Sequence, residues 1–166
     1  AGFADPSFLS RLMFVGVGTL LTIVVQSSSA AMALTLVLCN TGVIPFEVAA
    51  AMVLGENIGT TITAELASMV GNVHAKRSAR IHSMFNIIGV TWMLILMPYA
   101  LDIVNYVSIN YFGTISPYTA VDGWGDSMSP VPIALSIFHT GFNFLNVLML
   151  IWFVPAIVRF AERTVK

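Results

Sequence analysis

Two polar runs interrupt an otherwise apolar chain, and both carry side chains that can bind ions. The first is Gln26-Ser27-Ser28-Ser29 inside IVVQSSSAAMAL; the second is GENIGTTITA at 55–64. A buried hydroxyl or amide without a partner costs about 1–3 kcal/mol, so four in succession imply something that pairs with them. Serine favours helix starts over helix interiors, and a helix that restarts near Ala30 would point its first N–H groups at the same place as the three hydroxyls. Ser27, Ser28 and Ser29 would then make an anion cradle with no fixed charge, to which Gln26 adds an amide donor or a cap for the preceding half-helix. Single serines in membrane helices often bond back to carbonyls and ease packing; a glutamine and three serines at one break favour the cradle.

In the second run, Gly55 and Gly59 free the backbone while Asn57, Thr60, Thr61 and Thr63 offer neutral oxygens. Such ligands suit a weakly held alkali cation such as Na+, whereas Mg2+ and Ca2+ normally want carboxylates. Glu56 is an acid within an apolar segment, which makes it a functional candidate by default, with contact to water at a helix break as the other reading. The Gly and Thr content also suits plain helix packing. A short repeat, HSMFN at 82–86 and HTGFN at 139–143, sets His82, Asn86, His139 and Asn143 on helix faces by its i, i+3, i+4 spacing, and Asn146 extends the second stripe. Interhelical hydrogen bonding is the favoured role for these stripes; two histidines without acidic partners make a poor zinc site. There is no nucleophile–base set, no Gly-x-Gly-x-x-Gly and no P-loop, so the chain does not read as an enzyme, and no organic cofactor is expected.

The elements that must hold these groups lie in a membrane. The 166 residues are 57% hydrophobic and 9% charged, against about 25% charge in soluble domains. The net charge of −1 gives no hint of nucleic-acid binding, and the lone Cys39 excludes an intrachain disulfide. The N-terminus AGFADPSF has neither an initiator Met nor a basic n-region; it reads as a cut within a longer chain or a processed end. The first apolar run covers about 32 residues, a rise of roughly 48 Å as one helix against a hydrocarbon core of about 30 Å. It therefore reads as a hairpin over 8–40 with the serines at its turn. A broken helix follows over 46–71, interrupted at GENIGTT. Spanning helices are expected at 81–100, ending near Pro98, and at 131–158, with 101–131 as a loop between them. That loop carries Asp102, Asp122 and Asp126 but no Lys or Arg, while basic residues gather at 76–80 and 159–166. The positive-inside rule puts 72–80 and the C-terminus in the cytoplasm and 101–131 outside. Trp92, Tyr99, Tyr106, Tyr111 and Trp124 suit an interfacial belt. Two interrupted segments in one short chain point to a transporter binding site.

QSSSA, then GENIGTTITA, then HSMFN, in this order over 26–86, resemble the type II sodium/phosphate cotransporter family, and IFHTGFN carries the resemblance less tightly toward the end. Members of that family contain two inverted repeats, each with its own QSSS and Asn-Ile-Gly-Thr segment. This chain has one of each and is similar to the second repeat of a bacterial member. The resemblance implies an all-α membrane protein of broken or re-entrant helices plus spanning helices, one inverted-repeat half of a secondary transporter in a bacterial inner membrane. It implies Na+-coupled uptake of inorganic phosphate, with Gln26, Ser27, Ser28 and Ser29 on phosphate and Asn57, Thr60 and Thr61 on Na+ or framing its site; Thr63 and Glu56 are grouped with these on position. Many members have a small residue where Glu56 stands. The expected partners are phosphate, Na+, the bilayer, and either a missing N-terminal repeat or a second copy of the chain. A symporter of another oxyanion or small carboxylate is the nearest alternative, and a non-transporting structural or regulatory subunit is the alternative from another class.

Overall fold

The computed structural model describes residues 7–119 and 130–165; Asp122, Trp124 and Asp126 lie outside the described residues, as do 120–129 generally. Among the described residues every regular element is a helix: α1 Phe8–Val25, α2 Ser28–Asn40, α3 Phe46–Ser68, α4 Val73–Phe112 and α5 Pro130–Leu150, then a 3-10 turn Ile151–Phe153 and α6 Val154–Thr164. Three helical stretches, Phe8–Val25, Val73–Phe112 and Pro130–Thr164, are long and apolar enough to cross a membrane. The protein is an all-α membrane protein.

The centre of the fold is α3, buried without interruption from Val48 to Glu56. A helix enclosed on all sides needs small residues where neighbours cross closely. Ala49, Ala50 and Ala51 are fully buried, and three glycines seat α1. A Cβ on Gly18 would overlap the Met52 carbonyl, one on Gly55 would overlap the Val15 carbonyl, and one on Gly59 would lie 2.6 Å from Thr22 Cβ. Thr19 meets Gly55 and Thr22 meets Gly59, so the two helices pack directly and run in the same direction, and α2, which joins them in sequence, runs back. Thr19 Oγ1 donates to its own helix at the Val15 carbonyl (2.8 Å) and across to the Gly55 carbonyl (3.0 Å). The opposite face of α1, with Leu9, Met13, Leu20 and Val24, is exposed and suits lipid.

Three sequence expectations are corrected here. The segment 46–71 is not a broken helix: α3 passes through GENIGTT intact. Its glycines are spent on contact with α1, and its polar side chains bond to carbonyls of their own helix, so nothing opens the ladder. The helix expected at 81–100 runs from Val73 to Phe112, so the first half of the expected loop 101–131 is helical up to Phe112. Pro98 removes one backbone donor, but the buried stripe Asn86, Val90, Met93, Met97, Leu101, Val104, Ser108 continues across it at helical spacing. Packing on both sides outweighs one lost bond. The helix stops at Gly113, whose left-handed φ of 65° lets its N–H reach the Ser108 carbonyl. Finally, the helix expected at 131–158 gives way at Leu150 to the 3-10 turn. Pro155 has no N–H for the Ile151 carbonyl, and the chain restarts as α6. The core between α3, α4 and α5 is filled by Leu54, Met97, Leu135, Phe138 and Phe142.

Candidate functional site

The helix break lies at Gln26 and Ser27. Gln26 takes a left-handed φ of 55°, uncommon for a residue with a side chain, and its N–H donates to the Thr22 carbonyl at 2.7 Å, closing α1. Ser27 is extended (φ −148°, ψ 112°) and its Oγ accepts from the Ala30 N–H at 3.3 Å, the geometry of an N-cap. Ser27 Oγ and Ser29 Oγ are 3.3 Å apart. Ser28 and Ser29 are the first residues of α2 that follow the cap; their N–H groups have no intrahelical acceptor, and both side chains are exposed.

These serines open onto a cavity of about 260 Å3 lined by Ser28, Ser29 and Met32 of α2, Glu56 and Asn57 of α3, and His139 of α5. The two polar runs therefore meet, although only one of them breaks its helix. Glu56 is 3% exposed, and Thr35 Oγ1 donates to its Oε1 at 2.7 Å. No cation lines the cavity, and the ion pair of the described residues, Arg80 with Glu65 at 2.9 Å, lies elsewhere. An anion held at the serines would thus share a small, low-dielectric space with a carboxylate.

The other candidates divide. Asn57 lines the cavity, while its Nδ2 donates to the Val53 carbonyl at 3.0 Å, leaving the amide oxygen available. Thr60, Thr61 and Thr63 donate to the carbonyls of Glu56 (2.9 Å), Ile58 (2.8 Å) and Thr60 (2.8 Å) and are not among the lining residues. A break at GENIGTT would also have freed backbone carbonyls for a cation, but α3 is continuous. Gln26 is exposed on the turn itself.

The two His-x-x-Phe-Asn copies part company. Asn86 and Asn143 donate to the carbonyls of His82 (3.2 Å) and His139 (2.9 Å), within their own helices. His82 is exposed, whereas His139, placed with the scaffold stripe from sequence, lines the cavity. The clamp between α4 and α5 is the fully buried Asn146, which accepts from Trp92 Nε1 at 3.1 Å and donates to the Phe85 carbonyl at 3.3 Å.

Sequence reasoning missed Thr35, Met32 and Thr22. Thr35 and Met32 follow Ser28 by seven and four residues, so helical spacing from the first residue of α2 would have put them on the cavity face. Thr22 Oγ1 is buried with no hydrogen-bond partner among the described residues, one turn before the break, while Cβ and Cγ2 of the same residue lie against Gly59; its only signal was its position four residues before Gln26.

Comparison with known proteins gives a consistent picture. The chain is 32% identical over 139 residues to “Uncharacterized protein YqeW” of Bacillus subtilis, covering 84% of this chain and 38% of that protein. It is 27% identical over 151 residues to “Putative inorganic phosphate export protein YjbB” of Salmonella typhimurium, covering 90% of this chain and 24% of the relative. It is 40% identical over 101 residues to the mouse “Sodium-dependent phosphate transport protein 2C”, covering 57% of this chain and 17% of the relative. The chain thus spans well under half the length of each of these relatives. No solved structure matches it. Residues 7–120, which include the serine turn, the cavity residues of α2 and α3 and all of α4, match the family profile described as Na+/Pi-cotransporter, and the chain belongs to that family.

Proposed function

We propose that the chain forms one half of a Na+-coupled symporter of inorganic phosphate. The observation that carries this reading is the cavity in which the free start of α2 meets Glu56 and Asn57. Ser28 and Ser29 present hydroxyls and unpaired N–H groups to an anion; Ser27 fixes their geometry as the cap, and Gln26 adds a donor at the rim. Neutral donors hold a dianion without trapping it. The Glu56 carboxylate repels that anion across a small gap, and like charges repel more strongly where the dielectric is low. A co-bound cation removes the repulsion, which makes binding of anion and cation cooperative. Na+ fits the ligands at hand: the Glu56 carboxylate, the Asn57 amide oxygen and hydroxyls. Thr60, Thr61 and Thr63 serve the frame of this site.

The family match and the sodium and phosphate in the mouse relative's name support the reading. The Salmonella relative's name supports phosphate as the substrate and names the opposite net direction, export. The family is one of transporters, which favours a transport role over catalysis.

Gln26, Ser28 and Ser29 are exposed, and a polar turn at membrane depth needs protein or water to cover it. In this reading a second copy of the fold covers it, from the rest of a longer chain or from another copy of this one, with the two serine turns opposed. Arg77 Nε donates to the Val165 carbonyl at 3.1 Å, so the basic segment 72–80 and the C-terminus share one end of the molecule. The positive-inside rule assigns that end to the cytoplasm of a bacterial inner membrane.

The test is labelled phosphate flux through the full-length protein in proteoliposomes under inward Na+ or choline gradients, with excess sulfate, arsenate or a small carboxylate as competitors. Phosphate-selective uptake driven by Na+ supports the proposal. Flux indifferent to Na+ rejects the coupling, and outward flux alone reverses the direction. Stronger competition by another anion replaces the substrate, and no flux at all leaves the structural-subunit reading.

A further inference from the structure

A second cavity, of about 350 Å3, lies at the basic end of the molecule between the C-terminal end of α3, the start of α4 and the end of α6, lined by Glu65, Ser68, Met69, Lys76, Arg80, Thr164 and Val165. Its charges do not balance. Glu65 is occupied by Arg80 at 2.9 Å and accepts from Ser83 at 3.0 Å. Lys76 has no acidic partner among the described residues. On the segments that bound the cavity, Arg77 and Arg163 stand next to lining residues Lys76 and Thr164 in sequence and add positive charge, and Glu162 is the other acid. An anion would complete the cavity.

The rim indicates what kind of anion. Leu66, Met69 and Val70 at the end of α3 are 56%, 67% and 95% exposed, so an apolar ledge adjoins the charged cavity. The helix α6 turns Ile157 and Ala161 inward while Arg159 and Arg163 are exposed, the pattern of a helix at a membrane interface; Trp152, 84% exposed, stands just before it. A free inorganic anion has no use for the ledge. A phospholipid matches both parts, because basic pockets between membrane helices on the cytoplasmic side take anionic headgroups.

The geometry points to a site for an anionic phospholipid, with the headgroup phosphate on Lys76 and Arg80 and an acyl chain along Met69. The site is separate from the serine cavity and does not depend on what is transported there. It ties the C-terminal helix to the α3–α4 junction through a lipid.

Thermal unfolding of the full-length protein in detergent, titrated separately with phosphatidylglycerol, phosphatidylcholine and inorganic phosphate, tests this. Phosphatidylglycerol should raise Tm in a saturable way and phosphatidylcholine should not. Lys76→Gln should shift the phosphatidylglycerol midpoint about fivefold to weaker binding, Lys76→Arg should restore it, and Arg159→Gln, outside the cavity, should leave it in place. The response to inorganic phosphate should be the same in all four proteins. Equal response to both lipids, an unchanged midpoint in Lys76→Gln, or an equal loss in Arg159→Gln would overturn the site. So would a Lys76→Gln protein that loses its response to inorganic phosphate while keeping that to lipid.

Discussion

The two polar runs have similar composition and opposite outcomes. QSSS ends one helix and starts another, whereas GENIGTT lies inside an unbroken helix. Both contain residues with poor helix propensity, so propensity does not separate them. What separates them is where their side chains and glycines find partners. Ser27 can cap only from an extended backbone, and its bond to Ala30 N–H belongs to the break. Asn57, Thr60, Thr61 and Thr63 all bond to carbonyls three or four residues back, an arrangement that the continuous helix provides. Gly55 and Gly59, which would loosen an isolated helix, here admit the backbone of α1. A glycine on a buried crossing contributes contact to the fold that exceeds what it loses in propensity.

The largest expected effect tests that last statement. Gly55→Ala drives a methyl group into the Val15 carbonyl, a backbone wall that cannot step aside. Overpacking costs about 1–3 kcal/mol and occasionally more, and this site belongs at the upper end. Gly16→Ala is the control: nothing lies within 4 Å of its added Cβ, and relief of the glycine penalty should stabilise α1 by about 0.5–1 kcal/mol. Unfolding of both variants in mixed micelles should show shifts of opposite sign. Similar small shifts would mean that the GENIGTT glycines serve flexibility and not contact.

Ser28→Ala comes next. It removes a hydroxyl that faces the cavity and bonds to nothing in its own helix, so stability should hold. Loss of a bond to a charged group costs about 1.5–3 kcal/mol, or roughly ten- to a hundredfold in phosphate Kd. Direct binding of labelled phosphate measures it, and wild-type affinity in this variant would remove Ser28 from the site. Ser27→Ala should do the reverse. Losing the cap costs about 1 kcal/mol of stability, with a smaller effect on affinity that follows from a looser α2 start. A Ser27 variant weaker in binding than the Ser28 variant would exchange their roles.

Much of this was legible before any coordinates. The membrane class follows from hydropathy, and the break at the serines follows from capping chemistry, which is local. The pairing of Glu56 and Asn57 with the serines was legible only as a shared need for a polar cavity. The errors arose where tertiary contact overrules local signal. Gly55 and Pro98 are breakers in isolation, and α1 packed on one and a buried stripe running past the other make both tolerable. His139 and Asn146 share a helix, and sequence gave no means of telling that the first lines a cavity while the second clamps α4 to α5. Thr35 was missed for a different reason. Its place two turns after Ser28 marks the face it lies on, but its role follows only from its partner across the interface, Glu56.

The smallest expected effect separates the two runs most cleanly. Thr60 Oγ1 donates to the Glu56 carbonyl, which α3 already engages through the backbone, so the hydroxyl is redundant to the fold. Valine keeps the branched shape and the χ1 restriction of threonine, and Thr60→Val leaves no carbonyl unpaired. Stability should change by less than about 0.5 kcal/mol. Because Thr60 does not line the cavity, the Na+ concentration for half-maximal phosphate binding should also stay within about twofold of wild type, a change of roughly 0.4 kcal/mol. The resemblance to phosphate cotransporters implied either a Na+ ligand or a residue framing the Na+ site at this position, and a ligand predicts something else. Removing one of a few oxygens around an alkali ion should raise that concentration about tenfold, the order expected for a lost bond to a charged group. A Na+ titration of phosphate binding in Thr60→Val, with Asn57→Ala beside it, decides the matter. If Asn57→Ala weakens Na+ and Thr60→Val does not, the cation sits in the cavity beside Glu56. If both weaken it alike, α3 opens at GENIGTT when the ion binds, and the contrast between the two runs does not extend to ion binding.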